Sequence, residues 1–227
     1  MEIQAAMIAF AANGDNAPGY LAAPVEEGPY PGVVVIQEWW GLTDHIKAVV
    51  ERFAEAGFVA LAPDLYRGKV TTEPDEARKL AMELEMDQAV KDIQGAAEYL
   101  RDLKAVAPKQ IGVGGFCMGG GLAARMAVEG EHIGAVVVFY GRIITDSTAH
   151  VRVPLLGLFG ETDGGIPADG VRAAAERLEQ EGKTAEFHIY PEAGHAFFND
   201  TRPAAYHHDA AADAWQRTLD WFTKHLT

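Results

Sequence analysis

Gly115-Phe116-Cys117-Met118-Gly119, followed at once by Gly120 and Gly121, decides how this chain folds. The apolar run Ile111 to Gly114 before it predicts a buried strand, and the stretch after it to about Val128 predicts a helix. The pentapeptide therefore stands at a strand-to-helix turn. In such a turn the central side chain projects above the sheet, and glycines two positions to either side let the strand and helix backbones approach closely. This is the G-x-S-x-G elbow with cysteine in the serine position. The amides and partial positive charge of the helix N-terminus favour a thiolate and an oxyanion. The competing reading of Cys117 is a small buried packing residue. A lone cysteine in 227 residues at the centre of this turn argues for chemistry instead, and it cannot form an internal disulfide.

Outward from the elbow, strands and helices alternate. Val33 to Ile36, Phe58 to Ala62, Ala135 to Tyr140, Leu155 to Phe159 and Ala185 to Tyr190 read as strands. Asp44 to Ala56 is an amphipathic helix ending at Gly57, and Glu73 to Leu103 is helical in two pieces. Asp169 to Glu181 and Ala204 to His225 close the series as helices. The first 25 residues suggest one or two leading strands, most clearly Gly19 to Ala23. Such alternation implies an α/β fold with a mostly parallel central sheet, helices on both faces, and functional groups beyond the carboxyl ends of the strands. No composition break divides residues 1–227, so a single domain is expected.

Composition narrows the class. Hydrophobic residues make up 48% of the chain, enough for a large core. Nineteen basic against 33 acidic residues leave a formal charge of −14, which repels phosphate backbones and anionic headgroups, so neither nucleic acid nor membrane is an expected partner. The segment MEIQAAMIAF lacks the basic flank and apolar run of a signal peptide, and no stretch approaches the roughly 18 apolar residues of a membrane span. A cytoplasmic location is the expectation. The oligomeric state is not legible.

Elbow enzymes place nucleophile, acid and histidine in that chain order, each on a loop after a strand. Here Gly160-Glu161-Thr162-Asp163 follows one strand and Pro191-Glu192-Ala193-Gly194-His195 follows the next. Asp163 would orient His195, and His195 would take the Cys117 proton. Glu161 is the rival acid; Asp163 is preferred because the segment from it to Pro167 leads straight into a helix. The remaining histidines lack a partner pattern. His207-His208 does not make a metal site, since adjacent residues diverge on a helix, and neither metal nor other cofactor is expected.

Four stretches together resemble the dienelactone hydrolase (carboxymethylenebutenolidase) family of α/β-hydrolases: Gln37-Glu38-Trp39-Trp40-Gly41, Ala62-Pro63-Asp64-Leu65-Tyr66, Gly115 to Gly120, and Glu192-Ala193-Gly194-His195. The resemblance spans nearly the whole chain. It implies a Cys117–His195–Asp163 triad, an oxyanion hole from the backbone amides of Trp39 and Met118, and a glutamate, Glu38, beside the nucleophile. A carboxylate hydrogen-bonded to a thiol can hold it protonated or accept its proton, so that a thiolate appears mainly when substrate displaces the carboxylate. The competing role for Glu38 is a salt bridge at the pocket rim.

The implied reaction is hydrolysis of a small ester or lactone, and its substrate arm is where this chain departs from the family. Where the family's best-known members carry a carboxylate-binding arginine four residues beyond the histidine, this chain has Asn199. Trp40, Phe198 and Asn199 are expected to touch substrate. Among Arg78, Arg142 and Arg202, Arg78 is the first candidate for a substrate carboxylate, because the segment between Tyr66 and the helix near Ala89 forms part of the family's pocket. A carboxylesterase or thioesterase on another acyl compound is the nearest rival. A ligand sensor with a reactive cysteine is disfavoured by the intact acid and histidine. Amidotransferase-like chemistry is disfavoured by Ala196 and Phe197, which stand where such enzymes usually carry their acid.

Overall fold

In the computed structural model, which describes residues 1–143 and 145–226, the strand β3 (Gly32–Ile36) is buried at all five positions. A strand can be apolar on both faces only if both faces are covered. Val34 and Ile36 pack into one core and Val33 and Val35 into another, on opposite sides of one eight-stranded sheet. Its order is β1-β2-β4-β3-β5-β6-β7-β8, with β1 (Ile3–Ala12), β2 (Asp15–Pro24), β4 (Val59–Pro63), β5 (Ile111–Phe116), β6 (Ile133–Phe139), β7 (Leu155–Gly160) and β8 (Ala185–Tyr190). From β4 to β8 every neighbouring pair is parallel, while β1 and β2 form an antiparallel hairpin joined antiparallel to β4.

The helices divide between the two cores. On one face lie α1 (Asp44–Glu55) and α6 (His208–His225); on the other lie α3 (Met86–Asp102), α4 (Met118–Glu129) and α5 (Ala168–Gln180), with α2 (Pro74–Glu83) contributing Leu80. Each apolar stripe turns inward, as Ile46, Val49, Val50 and Phe53 do on α1. Thr43 caps α1, its Oγ1 accepting from the Ile46 amide. No helix among the described residues is long and apolar enough to cross a membrane.

The larger differences from the sequence reading lie in the first and last elements. The leading segment forms two complete ten-residue strands, paired from Ile3 with Pro24 to Ala12 with Asp15. The last helix begins at His208 rather than Ala204, because residues 202–206 are held in turns, with Ala205 and Tyr206 amides bonding back to the Arg202 carbonyl. The His207 imidazole then accepts from the Ala210 amide and serves as the helix cap.

Candidate active site

The elbow is built by backbone contact. A Cβ on Gly115 would lie 2.0 Å from the Gly119 carbonyl oxygen, and one on Gly119 would lie 2.4 Å from the Gln37 carbonyl oxygen. Gly120 and Gly141 are pressed together in the same way, so α4 packs main chain to main chain on the ends of β3, β5 and β6. Gly119→Ala is therefore expected to lose about 2 kcal/mol or more in a denaturant melt, since backbone must move to admit the methyl group. Gly170→Ala, which meets nothing within 4 Å on α5, is expected to be neutral or slightly stabilising.

Backbone strain collects around the same place. Cys117 (φ 55°), Tyr140 (φ 37°), Glu192 (φ 62°) and Ala196 (φ 62°) are left-handed without being glycine, and all lie at or beside the carboxyl ends of β5, β6 and β8. Cys117 occupies the N-cap position of α4 without using its side chain as a cap. The thiol is left for other work, and the Met118 amide opens the helix without an intrahelical acceptor.

The structure brings Cys117, His195 and Asp163 together. His195 Nδ1 lies 2.7 Å from Asp163 Oδ2, while Asp163 Oδ1 accepts from the amides of Gly165 (2.7 Å) and Ile166 (3.0 Å). Desolvation opposes ionisation of the Asp163 carboxyl, but these bonds outweigh it and hold its pKa below the usual range. Burial likewise works against a charged His195; the Asp163 bond and the neighbouring Cys117 sulfur overcome it and raise the imidazole to about 10. Glu161 sits elsewhere, in a surface pair with Arg172 at 3.2 Å.

Glu38 is 1% exposed and forms no salt bridge among the described residues. Its Oε2 accepts from Asn199 Nδ2 at 2.7 Å, and its Oε1 is 3.5 Å from the Tyr140 hydroxyl. Tyr140 is fully buried, its ring edge-on to His195. Burial, then the charges of Glu38 and Cys117, push its pKa well above that of a free phenol, so it stays a donor. Tyr66 is raised to about 12 by burial and by Cys117, and its hydroxyl donates to the Met118 sulfur. Neither tyrosine was given a role from sequence: Tyr140 reads as the last residue of a strand, and nothing in its spacing shows where the hydroxyl points.

Asn199, the partner of Glu38, lines a cavity of about 220 Å³ together with Trp40, Thr71, Thr72, Thr201 and Arg202, whereas Glu38, Cys117 and His195 are not part of its lining. The Arg202 guanidinium lies over the Trp40 ring at 4.7 Å and has no carboxylate partner among the described residues. The other arginines are placed differently. Arg78, the first candidate from sequence, is 63% exposed on α2 and paired with Asp75 one helical turn back, away from the cavity lining. Arg142 lines a separate cavity beside the turn that follows Asp163. Phe198, expected from sequence to touch substrate, is instead 1% exposed and packs among Phe116, Phe139 and Trp215 beneath the elbow, outside the lining of the cavity beside Asn199.

A mostly parallel sheet with a cysteine elbow after β5, an acid on the loop after β7 and a histidine on the loop after β8 define an α/β-hydrolase. The model of the dienelactone hydrolase family matches residues 17–226, and the chain belongs to that family. A protein of Methylorubrum extorquens named "Putative carboxymethylenebutenolidase" is 35% identical over 92% of this chain and 77% of its own length. "Protein usf" of Aquifex pyrophilus is 36% identical over 97% of this chain and 99% of its own. The crystal structure of a protein titled "Putative Dienelactone Hydrolase", from Klebsiella pneumoniae, superposes with a TM-score of 0.92 at 32% identity, covering 99% of this chain and 100% of that one. The chain is thus a hydrolase of the dienelactone hydrolase type, acting on esters.

Proposed function

We propose that this chain, acting as a single hydrolase domain, cleaves a small ester or lactone through Cys117, with His195 and Asp163 as its partners. The observation that carries the reading is the 2.7 Å bond fixing His195 Nδ1 on Asp163, which leaves the rest of the ring to Cys117. The thiolate attacks the acyl carbon, and the carbonyl electrons move onto oxygen, where the amides of Trp39 and Met118 receive them. The carbon–oxygen ester bond then breaks, and the leaving alkoxide takes its proton from the His195 imidazolium. In a lactone the new hydroxyl remains tethered to the acyl group. Once the sulfur is a neutral thioester, its charge no longer raises His195. The imidazole, having given its proton to the alkoxide, then stays neutral and available as the base for the water that releases the acid and restores the thiolate.

The substrate is a small molecule that carries a carboxylate, held by Arg202. A chain of charge −14 attracts anions poorly over distance and must bind them through local donors, and Arg202, without a carboxylate partner among the described residues, lines the cavity that Asn199 also lines. The testing experiment is hydrolysis of paired acidic and neutral esters and of cis- and trans-dienelactones. Arg202→Ala should raise KM for acidic substrates about tenfold or more and leave neutral aryl esters within about twofold. Arg78→Ala should affect neither. Equal effects of Arg202→Ala on both substrate types would instead favour a neutral ester as substrate.

A further inference from the structure

The hydrogen-bond ladder between β7 and β8 does not stop at the strand ends. Gly160 pairs with Tyr190 at the last rung; beyond it the Glu161 amide donates to the Tyr190 carbonyl at 3.0 Å, and the Thr162 amide to the Ala193 carbonyl at 3.0 Å. The Thr162 hydroxyl donates to that same carbonyl at 2.9 Å. A single residue thus supplies both hydrogen bonds that the Ala193 oxygen can accept. The approach is close on the other side too, since a Cβ on Gly160 would lie 2.4 Å from the Ala193 oxygen and 2.6 Å from that of Gly194. Asp163 is the next residue after Thr162, and His195 is the second after Ala193. We propose that Thr162 is a positioning residue: by clasping the Ala193 carbonyl it sets where His195 stands relative to Asp163 and Cys117.

The histidine loop requires a hold from outside itself. Glu192 and Ala196, which bracket His195, are both left-handed at φ 62° without being glycine, a conformation that persists only where the surroundings over-determine it. Ala193 lies between them, 1% exposed, and its carbonyl is where the acid loop takes hold. The 2.7 Å bond from His195 Nδ1 to Asp163 joins the same two loops, but it is made by a side chain that is 39% exposed and can turn about its own bonds. A clasp on the main chain fixes the base from which that side chain reaches. Catalysis is sensitive to such placement, a shift of about 1 Å being able to cost on the order of a hundredfold in rate. The proposal rests on the Cys117–His195–Asp163 reading above and adds to it a residue that acts through His195.

The test compares Thr162→Val, which keeps the shape and the amide bond but lacks the hydroxyl donor, with Thr162→Ser, which keeps the donor. Two readouts are followed: ester hydrolysis, and the titration of His195 by carbon-13 NMR of histidine-labelled protein, with its signal assigned by His195→Ala. The groups that face the imidazole are Asp163, the Cys117 sulfur and the edge-on Tyr140 ring, and neither variant alters them. Thr162→Val is expected to lower kcat about fivefold, the effect of one hydrogen bond, and to leave KM within about twofold. His195, which the Asp163 bond and the Cys117 sulfur raise to about 10 against its burial, should titrate lower by about half a unit or more as that bond loosens. Thr162→Ser should restore kcat to within about twofold and the titration with it. Either an unmoved titration in Thr162→Val, or an unchanged kcat in a protein that His195→Ala inactivates, overturns the proposal. So does a loss that Thr162→Ser shares in full, because the hydroxyl would then not be its cause, and so does a change confined to KM. The titration needs no substrate, so a lowered value in Thr162→Val beside undiminished hydrolysis in His195→Ala counts against the hydrolytic reading and not against the clasp.

Discussion

Cys117→Ala is expected to reduce ester or lactone hydrolysis by about a thousandfold or more, and His195→Ala by a similar factor. The two groups act as a unit, so the double variant should be little worse than either single one. What survives is the contribution of the oxyanion donors and of binding. The pH profile offers a second check. In the proposed mechanism protonated His195 supplies the proton to the leaving alkoxide, and its pKa is raised to about 10, so kcat/KM should fall as pH rises through about 10. Stability follows the same groups. The raised His195 contributes stability in full below its unfolded value of about 6.5 and loses it as pH climbs through about 10. The lowered Asp163 contributes above about 3.9 and loses its share as pH falls through its folded value. Thermal melts across this range should therefore decline at both ends. Undiminished turnover in Cys117→Ala would reject the mechanism.

The second large effect is expected at Asp163. Asp163→Asn should cost about a thousandfold to ten-thousandfold in kcat, because an amide offers its NH2 group to Nδ1 and so selects the wrong tautomer. It also leaves the imidazolium without its buried counter-charge. Glu161→Gln, by contrast, loses only an exposed pair with Arg172 and should stay within about threefold of wild type. Measuring both variants on one ester settles the assignment, and a larger loss at Glu161 would mean that the acid has been misidentified.

The central strands were legible because burial on two faces demands continuous β-branched and apolar runs, and Val33 to Ile36 or Ala135 to Tyr140 admit little else. The elbow was legible because its glycines answer to backbone contacts that no other residue permits. The leading hairpin was less so. Its first strand, IQAAMIAFAA, is rich in alanine and weak in β-propensity, and long-range pairing with Pro24 to Asp15 supplies what the local sequence does not. Side-chain direction was the other gap. Phe198 lies three residues from His195 and is apolar, properties shared by a pocket wall and a core residue; only tertiary packing turns it under the elbow. Arg78 sits in the expected segment, but helix phase points it at Asp75. Asn199 reads in sequence as a missing arginine, and its hydrogen bond to Glu38, across 161 positions of chain, has no local signature.

The crowding of Gly115, Gly119, Gly120 and Gly141 has a consequence for how this protein can diverge. The position of the sulfur is set by main chain against main chain, whereas the cavity wall comes from side chains on separate loops, Trp40 after β3, Thr71 and Thr72 before α2, and Arg202 before α6. If the proposed function holds, reacting atom and recognition surface are thus supported by different parts of the chain. Wall residues can be exchanged for others of different size and charge while the attacking group keeps its place, so new substrate preferences are open to this scaffold through loop substitutions that leave its reactive machinery intact.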